Sequence, residues 1–120
     1  MMTTLLAATL VCIVANVFIA AADYRKARFV LKNSAEVHVP ARALPYLATL
    51  KLAGAAGLTL GLIWVPWLGV AAGVGLIGFF IGAILAHLRA HVFYNMAFPG
   101  LYLLLAIAAT VYLTHRAGAA

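Results

Sequence analysis

The chain has 120 residues, of which 68% are hydrophobic and 8% charged, against about a quarter charged in a soluble domain. Five of its eight Lys/Arg fall in one segment (Arg25, Lys26, Arg28, Lys32 and Arg42), so the net charge of +6 suits anionic lipid headgroups and argues against a nucleic-acid role. A single cysteine, Cys12, excludes an intrachain disulfide and a C-x-x-C redox pair.

Four apolar runs predict four membrane-spanning helices, over about residues 4–22, 45–64, 67–88 and 98–114. The predicted fold is an all-α integral membrane four-helix bundle, one transmembrane domain over residues 1–120. Ala20-Ala21-Ala22 before Asp23 resembles a signal-peptidase site. No positive region precedes the run, so it is read as a retained first helix.

A basic loop from Asp23 to Leu44 follows. Within it, residues 24–33 predict a short amphipathic helix, with Arg25, Arg28 and Lys32 on one face and Ala27, Val30 and Leu31 on another. Pro40, Pro45, Pro66 and Pro99 all fall at segment edges, where a missing N–H does least harm. The Trp64-Val-Pro-Trp67 turn is so short that the second and third spans must form an antiparallel hairpin. Lys and Arg concentrate after the first and third spans, which predicts both termini outside and the polar connections in the cytoplasm.

Eight of the ten glycines lie in the second and third spans. The spacings Gly57/Gly61, Gly69/Gly73 and Gly78/Gly82 permit close backbone approach, either within one bundle or across a homodimer.

Lys51 lies inside the second span, where a charge at a helix centre costs about 2.5–3.5 kcal/mol on insertion scales. It must snorkel, pair or work. Six residues from Pro45, it sits about 9 Å in from that helix's start. Chain direction brings Asp23, His87 and Arg89 to the same end, with His91, Tyr94 and Asn95 in the connection beyond. Asn16, two turns before Asp23, shares its helix face and is expected to bond across helices. One cytoplasm-facing polar pocket is therefore predicted.

In it, Asp23 pairs with Lys51 or Arg89. Lys51, His87 and Asp23 are the candidate catalytic groups; Asn16, Arg89, Tyr94 and Asn95 are the candidate ligand-binding ones. Lys51 serves as base or clamp, and His87 shuttles protons. Tyr94 and Asn95 bind a carbonyl or hydroxyl. His87 and His91 are spaced i, i+4 but supply too few donors, so no metal is assigned. A cation–proton exchanger needs an intramembrane carboxylate, and both acids, Asp23 and Glu36, read as loop residues.

The run Leu50-Lys51-Leu52-Ala53-Gly54-Ala55-Ala56-Gly57-Leu58, the short Trp-Val-Pro-Trp turn and Gly82-Ala83-Ile84-Leu85-Ala86-His87-Leu88-Arg89 resemble the DoxX-like family. Ala22-Asp23-Tyr24-Arg25-Lys26-Ala27-Arg28-Phe29 is similar to its actinobacterial members. The family pattern matches at Lys51, Gly54, Gly57, His87 and Arg89. The resemblance implies a four-helix fold in the bacterial cytoplasmic membrane and an association with membrane redox complexes, with quinone as a candidate ligand and no cofactor in the chain itself. Two functions stay open. One is an enzyme or enzyme subunit acting on a hydrophobic small molecule, by quinone-linked redox or by acid–base isomerisation or cyclisation. The other is a non-catalytic assembly partner or lipid-binding subunit, whose partners are the bilayer, a second copy or a redox protein.

Overall fold

A computed structural model describes residues 1–119. Its helices are α1 (Met2–Tyr24), α2 (Arg28–Glu36), α3 (Leu44–Ile63), α4 (Pro66–Arg89) and α5 (Ala97–Ala119), with a single 3₁₀ turn, Ala41–Ala43, leading into α3. The four long helices are apolar and long enough to cross a bilayer. They form a ring in which α1 packs on α3, α3 on α4, α4 on α5, and α5 back on α1.

Small residues set the spacing of this ring. A Cβ on Gly61 would strike the Gly69 backbone, and one on Gly57 would lie 2.5 Å from Ala72 Cβ. Gly73 faces Thr110 of α5 just as closely. Gly57, Gly61, Gly69 and Gly73 are thus consumed inside the bundle, and only Gly78 and Gly82 of the paired spacings remain open. Cys12, Leu58, Leu76, Phe80, Ala106, Ala109, Tyr112 and Leu113 fill the centre. Outside, Val14, Phe18, Leu85, Leu101, Leu104 and Val111 are exposed. This is the apolar surface that lipid covers.

Three helices run past or stop short of the expected ends for one reason. α1, α2 and α4 each end in a Schellman motif with a non-glycine residue in the left-handed region: Lys26 (φ 50°), His38 (φ 63°) and His91 (φ 56°). The paired bonds are present in each, from Ala27 N–H to Ala22, Val39 N–H to Ser34 and Val92 N–H to His87. The amphipathic segment is accordingly displaced to Arg28–Glu36. Val30 alone of its apolar residues is buried, against Ala22 and Leu44, while Leu31 is exposed. Left-handed backbone costs a side-chain-bearing residue about 1–2 kcal/mol. His91→Gly is therefore expected to raise the thermal midpoint in detergent, and a fall would show that the His91 side chain supports the turn.

Candidate functional site

Asp23 lies in the last turn of α1, not in the loop, and is turned inward. Its Oδ2 accepts from Lys51 Nζ at 2.6 Å, with the two side chains only 3% and 10% exposed. Helix side chains lean toward the helix N-terminus. For Lys51 that direction leads back along α3 toward the basic-loop end. The side chain snorkels, but it stops at Asp23 instead of reaching the headgroups. Behind it, the Lys51 ammonium lies 5.3 Å from the Phe79 ring centroid, a cation–π contact from α4.

A second cluster forms on the same end. His87, buried in the last turn of α4, has Nδ1 2.9 Å from the Ala83 carbonyl and Nε2 3.1 Å from Asn33 Oδ1. Asn95 Nδ2 donates to the same Asn33 oxygen at 2.9 Å. Both imidazole nitrogens face acceptors, and a neutral ring donates to only one of them. Asn33 of α2 thus ties α4 to the α4–α5 connection. Asn95 Oδ1 is buried without a partner.

The single expected pocket is therefore two adjoining groups. Asp23, Lys51 and Phe79 make one; Asn33, His87 and Asn95 make the other. No direct hydrogen bond joins them among the described residues. Arg89 is exposed, and Lys51 rather than Arg89 partners Asp23. Tyr94 is also exposed and donates to Glu36 Oε1, while Lys32 lies 6.0 Å from its ring. The Glu36 carboxylate accepting its proton pushes the Tyr94 phenol above its ordinary value of 10.0. That contact is lost as pH rises through the raised value, where the phenol gives up the proton it donates.

Asn16 does not reach across helices. Its Nδ2 donates to the Cys12 carbonyl of its own helix at 2.9 Å, and its Oδ1 is buried and unpartnered. Tyr102 of α5 makes the cross-helix bond instead, to the Ala15 carbonyl at 3.1 Å. Tyr24 donates to Thr49 Oγ1 (2.6 Å), because the Thr49 proton goes to the Pro45 carbonyl. His91 leaves the helical register altogether, so it shares no face with His87. Among the described residues no three His, Cys, Asp or Glu side chains gather around a metal-sized position.

Between α3 and α4 a groove of about 420 Å³ opens on the bundle's side, lined by Leu50, Ala53, Gly54, Ala72, Gly75, Leu76 and Phe79. Asn33 and Phe79 are the residues that sequence reasoning missed. Asn33 is a loop-like polar residue in a basic segment, and Phe79 is one aromatic among many apolar neighbours, so neither carries a local signal.

Four apolar helices closed around a buried acid–base pair define a small integral membrane protein. Residues 7–109 match the family model described as the DoxX-like family, and the chain belongs to that family. No curated protein and no solved structure matches it.

Proposed function

We propose that the protein is a membrane-embedded enzyme, or the membrane subunit of one, acting on a hydrophobic small molecule at the Asp23–Lys51 pair. The observation that carries this reading is the burial of that pair in an otherwise apolar bundle. Buried ion pairs add little net stability, whereas ionisable groups in membrane helices mark sites of chemistry. Acid–base chemistry at an oxygen is the form the pair supports best. Lys51 donates a hydrogen bond to the substrate oxygen and stabilises the negative charge that develops there, and Asp23 holds the ammonium in place and balances its charge.

On this reading His87, held by Asn33, exchanges protons with the aqueous side, taken as the cytoplasm of a bacterial cell with both termini outside, a reading that the Lys/Arg-rich connections support. A quinone belongs to the same ligand class: its carbonyl oxygen would lie on Lys51, and its ring would supply two-electron chemistry.

The decisive variant is Asp23→Asn/Lys51→Met, which removes the pair without stranding a charge. Lipid-soluble extracts of cells producing the protein are compared by mass spectrometry with those of cells producing this variant and His87→Ala. At least one hydrophobic metabolite is expected to change with the native chain and to revert in both. An unchanged profile, with all three proteins present in the membrane, defeats the reading.

One observation favours a second reading, an assembly partner: an added Cβ on Gly78 or Gly82 meets no atom within 4 Å, so these α4 glycines serve nothing inside the bundle. If they seat a second copy or a redox protein, Gly78→Leu or Gly82→Leu breaks the complex, read as size in detergent. An unchanged size removes this alternative.

A further inference from the structure

Phe79 belongs to two places at once. One face of its environment is the Lys51 ammonium, 5.3 Å from the ring centroid, and the other is the lateral groove between α3 and α4. The groove's remaining walls are small or aliphatic, and Gly75 is open, with no atom within 4 Å of an added Cβ. Leu50 to Gly54 lie six to ten residues into α3, so the groove meets the bilayer about 9–15 Å from the helix start. These walls suit an apolar body.

Lys51 has three N–H donors, and Asp23 is its one hydrogen-bond acceptor among the described residues. A cation over an aromatic face is readily exchanged for a cation on an oxygen. We propose that this groove is the port by which a carbonyl compound with an apolar tail reaches Lys51 from the bilayer, with Phe79 as the gate that turns aside. The inference rests on the reading of Lys51 as the group that meets the substrate oxygen, and it adds the route and the ligand class.

A para-decyl benzophenone, which is itself an aryl ketone on a straight tail, serves as the probe in phosphatidylcholine/phosphatidylglycerol vesicles holding the full chain. Under ultraviolet light its excited ketone takes hydrogen from a nearby C–H. The two radicals then join, leaving a tertiary alcohol bonded to the residue, which peptide mass spectrometry locates. Crosslinks are expected at residues 50–54 and 72–79. Gly75→Leu, which grows into open space, and Ala53→Phe, from the opposite wall, are each expected to cut them roughly tenfold, as filling a pocket does. Gly82→Leu, outside the groove, leaves them unchanged.

Unlabelled decyl phenyl ketone is expected to compete roughly tenfold better than decylbenzene, the worth of one hydrogen bond to a charged donor. That preference vanishes in Asp23→Asn/Lys51→Met, while Phe79→Ala raises labelling near Lys51. Labelling no greater than at the lipid-facing Leu101 and Leu104 overturns the port. So does labelling indifferent to both wall variants, and equal competition by decylbenzene overturns the ketone assignment. The readout is binding, so a groove that labels as expected in a protein whose metabolite profile is inert sinks only the enzymatic reading.

Discussion

Lys51→Met alone is expected to destabilise the protein by about 3–5 kcal/mol, the usual cost of stranding one member of a buried ion pair. Asp23 has no way out. Its side chain is short, 3% exposed, and fixed in the last turn of α1, where the negative end of the helix dipole opposes a lone carboxylate. Asp23→Asn is expected to cost less. The Lys51 stem already leans toward the loop end and is free to carry the ammonium further, to the headgroups. The double variant Asp23→Asn/Lys51→Met should recover most of what Lys51→Met loses, since no unpaired charge remains. Unfolding in mixed dodecylmaltoside and dodecyl sulfate micelles, followed by circular dichroism, gives all three values. A Lys51→Met protein within about 1 kcal/mol of the native one would mean the carboxylate is not confined. A double variant no better than the single would show that the loss is one of side-chain contact and not of charge.

The same pair shows what a sequence of this kind discloses. Lys51 announces itself because a charge in a run from Pro45 to Trp64 has no cheap explanation. Direction along the chain then brings Asp23 to it, since α1 ends where α3 begins. Both steps need only span counting. Asn33 could not be found that way: its partners His87 and Asn95 are 54 and 62 residues away, and nothing local separates it from other polar residues of a basic loop. Tyr94 and Arg89 sit at the right end of the molecule but on its outside. Topology fixes an end, whereas orientation about the helix axis depends on neighbouring side chains. Helix ends escaped for a different reason. Glycine at a C′ position is the readable stop signal, and here Lys26, His38 and His91 take the left-handed backbone instead. The i, i+4 spacing of His87 and His91 loses its meaning once the helix stops at Arg89. The glycine pattern was legible as close approach, but the sequence does not distinguish approach within the bundle from approach between molecules.

A graded series of alanine substitutions separates these two uses. Gly61→Ala places a methyl against the Gly69 backbone, 2.7 Å from its nitrogen and closer still to its Cα, so two helices must move apart. Forcing atoms into a filled interior costs about 1–3 kcal/mol, and a rigid backbone neighbour puts Gly61 at the upper end. Gly69→Ala is expected to cost less, because its nearest obstacle is the Leu113 side chain at 2.6 Å and the Gly61 Cα stands further off at 2.9 Å, so the helices need to part by less. Gly78→Ala meets nothing within 4 Å and is expected to leave the thermal midpoint in detergent unchanged. The order Gly61, Gly69, Gly78 is the test, and it does not depend on the absolute size of any step. Were Gly78→Ala as damaging as Gly61→Ala in a dilute monomeric preparation, α4 would have to face another helix of this bundle at that position. If Gly78→Ala is silent there yet lowers the stability of a larger assembly, the glycines are divided along α4. Those nearer the α3–α4 turn hold the bundle together, and those nearer His87 are spare for a neighbour.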